Sequence, residues 1–135
     1  MNDYKILVVD DELDMRTFIT TLLETNGYKP VAATDGKEGL ELARKVKPDL
    51  IILDITMPVM TGIEMLEKLK AERDLKDIPV IMLTAGRESR MVSKNHRRSI
   101  QLNRQKNLFS FIKRKDRHFI FKNSTNRRIS VLKKP

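Results

Sequence analysis

Four polar residues stand where short apolar runs stop: Asp10 and Asp11 after Ile6-Leu7-Val8-Val9, Asp54 after Leu50-Ile51-Ile52-Leu53, and Thr84 after Val80-Ile81-Met82-Leu83. If those runs are neighbouring parallel strands, their carboxyl ends open on one crevice and the polar groups meet there. Carboxylates a few ångströms apart in a partly desolvated crevice repel strongly, and a divalent cation relieves that repulsion. Oxygen-only ligands, with no His or Cys at the strand ends, favour a hard ion, and Mg²⁺ in particular pairs a few carboxylates with phosphate oxygens. A carboxylate beside bound Mg²⁺ can attack phosphorus as a nucleophile and form an acyl phosphate. Thr84 would then hydrogen-bond a phosphoryl oxygen, and small Ala85 would leave the group room to enter. Catalysis of such a transfer is mostly positioning and charge neutralisation.

Each residue also has a plainer use. Asp10 and Asp11 can cap the helix expected near Leu13, Asp54 can be a solvated loop residue, and Thr84 can satisfy a backbone group. Met57, Met60 and Met65 read as adaptable packing residues and not as a ligand set. His96 and His118 lie at no metal-ligand spacing, so no chemistry is assigned to them.

The elements that must position these groups follow from patterning. Lys5 to Asp10 reads as a buried strand. Leu13, Phe18, Ile19, Leu22 and Leu23 recur near helical spacing, and Gly27 suits a helix C-terminus. A short strand around Val31 to Ala33 leads to Asp35-Gly36, with Thr34 or Asp35 as N-cap of a helix carrying Leu40, Leu42, Ala43 and Val46. Pro48 ends that helix. Leu50 to Leu53 is a continuous apolar strand, as expected when helices cover both faces of a parallel sheet. A loop with Pro58 and Gly62 precedes a helix with Ile63, Leu66 and Leu69, and Pro79 precedes the strand Val80 to Leu83. The alternation β-α-β-α-β-α-β implies an α/β fold with a doubly wound parallel sheet.

The chain has 135 residues, enough for one domain with a real core and too few for two large ones. It contains no cysteine, which excludes disulfides and thiolate metal sites and fits a reducing compartment. No apolar run approaches the roughly 20 residues that span a bilayer, and no basic-then-apolar leader opens the sequence, so a cytoplasmic protein with no membrane partner is expected. Charge is segregated. Residues 1–86 hold 11 Lys and Arg against 16 Asp and Glu, a net of −5, while residues 87–135 hold 16 against two, a net of +14. All five glycines and four of the five prolines fall in the first segment. We therefore expect a core of four βα units over 1–86 and a distinct basic segment over 87–135, which either completes the domain or is partly disordered.

Taken in order, Asp10-Asp11, Asp35-Gly36, Asp54 with Met57-Pro58 and Gly62, and Leu83-Thr84-Ala85 resemble the receiver domain of bacterial response regulators, a flavodoxin-like module. The resemblance covers about residues 3–86. It implies that Asp11 and Asp54 bind Mg²⁺ directly together with the main-chain carbonyl of Thr56, and that Asp10 acts mostly through a metal-bound water. It also implies that Asp54 is phosphorylated from a sensor histidine kinase or a histidine phosphotransfer protein, and that Thr84 reorients to report the event. Such a module is a signalling phosphoacceptor in two-component phosphorelays and not an enzyme acting on a separate substrate. An aspartyl-nucleophile phosphohydrolase is disfavoured, because those enzymes usually carry a second acid two residues after the nucleophile, where this chain has Thr56.

The match decays after Gly86. Where the family has a Gly-Ala turn, this chain has Arg98-Ser99, and where it has an aromatic residue, Asn103. Lys106 stands at the family spacing for the phosphate-pairing lysine but precedes Asn107 instead of proline. Met91, Val92, Ile100 and Leu102 are the sizeable apolar residues of 87–107, which leaves the fifth strand and last helix open and threatens an unpaired edge on the fourth strand. Three readings of the basic segment stay open. The apolar groups between Leu108 and Phe121 can supply substitute core; lysines and arginines interleaved with phenylalanines can bind nucleic acid; or a shifted reading frame produced the segment, which translating the gene in its other frames after codon 86 would reveal. The functional alternatives are a receiver-like interaction module unable to switch, and a nucleic-acid binder acting through the tail. A homodimer is also open, since receivers commonly pair through the region that is aberrant here.

Overall fold

The computed structural model describes residues 5–55, 57–84, 99–103, 120–122 and 128–130, with side chains over 5–55 and 57–83. In chain order the elements are β1 (Lys5–Val9), α1 (Leu13–Thr25), β2 (Lys29–Ala33), α2 (Gly36–Val46), β3 (Leu50–Asp54), α3 (Gly62–Ala71), β4 (Val80–Thr84) and β5 (Ser99–Asn103), followed by the short strands β6 (Ile120–Lys122) and β7 (Arg128–Ser130). β1 to β5 form one parallel sheet in the order β2-β1-β3-β4-β5. β6 and β7 pair antiparallel, with Phe121 opposite Ile129.

Period-two alternation in the strands divides the core into two layers. Ile6 and Val8 of β1, Leu50 and Ile52 of β3, and Ile81 and Leu83 of β4 pack with Ile19, Leu22 and Leu23 of α1. Leu7 and Val9, Ile51 and Leu53, and Val80 and Met82 pack on the other face with Leu40 and Ala43 of α2 and Met65, Leu66 and Leu69 of α3. Every residue of β3 is buried, because that strand has neighbours on both edges and helices on both faces. Leu75, in the segment between α3 and β4, joins the second layer as a core residue that helical or strand periodicity does not single out.

Local chemistry sets the helix ends. Asp35 caps α2, its Oδ1 accepting the Glu38 N–H at 2.8 Å, while Glu38 reaches back to the Thr34 N–H at 2.9 Å and hydroxyl at 2.6 Å. Those two bonds hold the Glu38 carboxyl below the usual carboxylate range. α2 stops at Val46, and Lys47, just before Pro48, takes a left-handed conformation. Thr61 caps α3 through the Glu64 N–H. Gly27 follows α1 with φ +87°, the conformation that favours glycine there.

The fifth strand, left open by the thin apolar content of 87–107, does form. β5 runs parallel to β4, with Ile81 opposite Ile100, Leu83 opposite Leu102 and Thr84 opposite Asn103. The edge of β4 that a missing fifth strand would leave unpaired is thereby covered. The order of strands reverses direction between β1 and β3, which in open α/β sheets is where the binding crevice opens beyond the carboxyl ends.

Candidate phosphoacceptor and metal site

Asp10 and Asp54 lie at that crevice because β1 and β3 are adjacent and in register, with Val9 opposite Leu53. Asp10 is the first residue beyond β1 and Asp54 the last residue of β3, and both are buried, at 0% and 1% exposure. Asp11 follows on the exposed side of the turn. One carboxylate oxygen from each of Asp10, Asp11 and Asp54 lies within 4.8 Å of the others. Two charges about 5 Å apart repel by roughly 3 kcal/mol at an effective dielectric near 20, so three ionised groups in this space call for a cation. The donor set is oxygen only, which fits a hard ion such as Mg²⁺ and not a thiolate- or imidazole-loving metal.

The β1–α1 turn is tightly specified. The Asp10 N–H donates to the Ala33 carbonyl at 3.2 Å, extending the β1–β2 pairing by one residue. Asp10 Oδ1 accepts the Glu12 N–H at 2.9 Å, and Arg16 Nη1 donates to the Asp10 carbonyl at 2.9 Å. The capping use of the acidic pair is not realised: Glu12 is the N-cap of α1 and no side chain caps the helix, while Asp10 Oδ1 holds the turn ahead of it and the same carboxyl belongs to the acidic cluster.

On the other side of the crevice the β3–α3 loop brings its own constraints. The Gly62 N–H donates to the Ile55 carbonyl at 2.8 Å, and a Cβ at Gly62 would lie 2.1 Å from the Asp54 carbonyl oxygen. Only glycine permits that approach, so Gly62 sets where the end of β3 can lie. Ile55 and Met57 are buried, and Met60 packs against Gly36 of α2. Anchored on both sides, Val59 protrudes at 83% exposure with φ +68°, and the Met60 N–H reaches over it to the Pro58 carbonyl at 2.7 Å. A β-branched residue in that region is strained.

Asp10, Asp11 and Asp54 are therefore brought together as the strand ends require. Thr84 closes β4, one residue beyond Leu83, the register partner of Asp54. Thr56 and Lys106 lie outside the described residues, as do His96, His118 and the apolar groups at 108–119. Arg16 escapes a reading of the strand ends because its partner is a main-chain carbonyl. Its signal is a cation in the first turn of α1, where the helix dipole disfavours one. No helix among the described residues is long and apolar enough to cross a membrane.

Known proteins agree with this arrangement. The family model of the response regulator receiver domain matches residues 6–102. The chain is 42% identical over 80 residues to the polar-differentiation response regulator DivK of Brucella anthropi, covering 59% of this chain and 64% of DivK. It is 44% identical over 84 residues to the alkaline phosphatase synthesis transcriptional regulatory protein PhoP of Bacillus subtilis, covering 62% of this chain but 34% of PhoP. The chain thus spans about a third of some curated relatives and just under two thirds of others. The chemotaxis response regulator CheY4 of Vibrio cholerae superposes with a TM-score of 0.75 at 32% identity, covering 83% of this chain and 95% of that structure. A sheet of this order, an acidic trio at its switch point and a family match over most of the chain lead to one conclusion: the chain belongs to the response regulator receiver domain family of two-component signalling.

Proposed function

We propose that this receiver accepts a phosphoryl group on Asp54 in a Mg²⁺-dependent reaction and relays a two-component signal. The observation that carries the reading is the meeting of Asp10, Asp11 and Asp54 at the β1/β3 switch point. Asp11, Asp54 and the Thr56 carbonyl would hold the ion directly, with Asp10 acting through water. Bound there, Mg²⁺ supplies positive charge for the carboxylates and the phosphoryl oxygens.

The Asp54 carboxylate is the nucleophile. Its oxygen forms the new bond to phosphorus as the phosphorus–nitrogen bond of a phosphohistidine breaks, and the electron pair leaves on the imidazole nitrogen, which takes up a proton. Burial at the end of β3 limits the carboxylate's orientations, and its backbone is held by register with Leu83 on one side and Gly62 on the other. The Thr84 hydroxyl donates to a phosphoryl oxygen and reorients as the switch, and Lys106 pairs with the phosphoryl charge. The donor is a sensor histidine kinase or histidine phosphotransfer protein, the setting cytoplasmic, and the module a signalling domain with no separate substrate. We divide the chain into a receiver core over 1–86 and a basic segment from 87 that completes it through β5.

The test is intact mass after incubation with a small phosphodonor, with and without Mg²⁺. Wild type should gain one phosphoryl mass only when Mg²⁺ is present, and Asp54→Asn should gain none. Equal labelling of the variant would sink the reading.

A further inference from the structure

We propose that Arg16 is a positioning residue of the acidic site: by donating from Nη1 to the main-chain carbonyl of Asp10, it fixes the turn that presents Asp10 and Asp11 to a cation. The inference rests on the metal reading above and concerns how this chain builds the site.

Asp10 is the pivot of the turn. Its N–H is tied to Ala33 on β2, its side chain to the Glu12 N–H, and its carbonyl to Arg16, so one residue is held through three separate groups. The third tie controls the peptide plane between Asp10 and Asp11. Rotating that plane turns the Asp10 carbonyl away and, through the same rigid unit, swings the Asp11 backbone and the carboxylate it carries. Nothing in the strand ladder prevents this rotation, because β1 ends at Val9. α1 starts at Leu13, and the intrahelical hydrogen bonds at its N-terminus begin with the Glu12 carbonyl, which accepts the Arg16 N–H at 2.9 Å. Arg16 therefore spans the gap between the end of the sheet and the start of the helix, with its backbone in the helix and its guanidinium on the carbonyl between the two acidic residues of the turn.

For the binding of a cation the Arg16 charge itself is a cost, whatever it contributes to offsetting the acidic trio. A cation in the first turn opposes the helix dipole, and a fixed positive charge near the crevice opposes the entry of a second one. Glu38, at the first turn of α2, feels the Arg16 charge only as the smallest of the influences on its carboxyl, after the Thr34 hydrogen bonds, desolvation and the Asp35 charge. Half-burial of the side chain further limits its alternatives. What remains in favour of arginine here is directional hydrogen bonding to the Asp10 carbonyl.

The sign of the effect separates the two roles. If Arg16 acted only as a charge, removing it would tighten cation binding; if it holds the turn, removing it weakens binding. Backbone-amide NMR of the full chain titrated with Mg²⁺ reads the dissociation constant on the folded protein, and the metal-free melting temperature reads stability separately. We expect Arg16→Met to weaken Mg²⁺ binding by about tenfold, the loss typical when a ligand's supporting partner is removed. Arg16→Lys, which keeps a donor of similar reach, should recover most of it, and the Asp11 and Glu12 amides should show increased fast motion in Arg16→Met alone. A folded Arg16→Met that binds Mg²⁺ as tightly as wild type, or more tightly, overturns the proposal and leaves the metal reading intact. A wild-type spectrum that does not respond to Mg²⁺ overturns the metal reading and this inference with it.

Discussion

β3 and β5 belong to one sheet, and they are specified in different ways. β3, Leu-Ile-Ile-Leu-Asp, is apolar up to Asp54 and buried throughout. β5, Ser-Ile-Gln-Leu-Asn, alternates apolar and polar residues and pairs with β4 on one edge only. A central strand must suit helices on both faces, so composition alone announces it. An outer strand needs only backbone pairing and a half-apolar pattern, which is a weaker signal in any sequence. The same contrast divides the function: the acidic trio rests on β1 and β3, whereas the proposed lysine Lys106 follows β5.

The largest expected effect breaks the well-specified side. Gly62→Ala forces a Cβ against the Asp54 carbonyl, so the end of β3 must shift; we expect about 3 kcal/mol of lost stability, the upper range for overpacking, and loss of Mg²⁺ response. Urea unfolding and the NMR titration check both, and a stable variant with an unchanged titration would mean that the loop does not set the site.

Truncations along one row of the sheet sharpen the comparison. Ile52 of β3, Ile81 of β4 and Ile100 of β5 are consecutive register partners. Ile52→Ala should cost about 2–5 kcal/mol, as expected for a fully buried isoleucine. Ile100→Ala should cost less, because its strand has one neighbour. Equal losses in urea unfolding would show that the outer strand carries as much of the fold as the central one.

A smaller change of opposite sign is expected at the site's rim. Val59→Asn replaces a β-branched residue at positive φ with one that tolerates it, and its side chain is mostly solvated, so we expect a gain of about 1 kcal/mol. A lower melting temperature would show that the valine is held by something besides the strained turn. The smallest effect is at Glu38. Its folded-state carboxyl is depressed, so its contribution is present above the unfolded value, near 4.5, and fades as pH falls through the lower folded value. Glu38→Gln should melt slightly below wild type at pH 7, and the two should converge in acid; a gap that widens in acid would reverse this account of the Thr34 bonds.

Much of this protein was legible from residue order. β1, β3 and β4 each read as an apolar run that stops on a polar residue, and the acidic cluster was legible for the same reason, since Asp10, Asp11 and Asp54 stand where β1 and β3 stop. The Asp35 cap followed from the Asp-Gly pair, although Thr34 serves Glu38 instead of the helix end. β5 is less legible because 87–107 holds few large apolar residues and an outer strand announces itself only through the alternation of Ile100 and Leu102 with polar neighbours. Leu75 escaped because it packs from an irregular segment, and Arg16 because its role depends on a backbone carbonyl that no pattern of side chains displays. The left-handed Val59 was equally hidden, since it results from the burial of Met57 and the packing of Met60 on either side.

On the function proposed, the phosphoryl group is received at the end of β3. Borohydride reduces an acyl phosphate to the alcohol, so trapping the chain after phosphorylation in Mg²⁺ and mapping its peptides locates the acceptor directly. We expect homoserine at position 54 alone. Reduction at Asp10 or Asp11, or none anywhere in a chain that has gained phosphoryl mass, would contradict it.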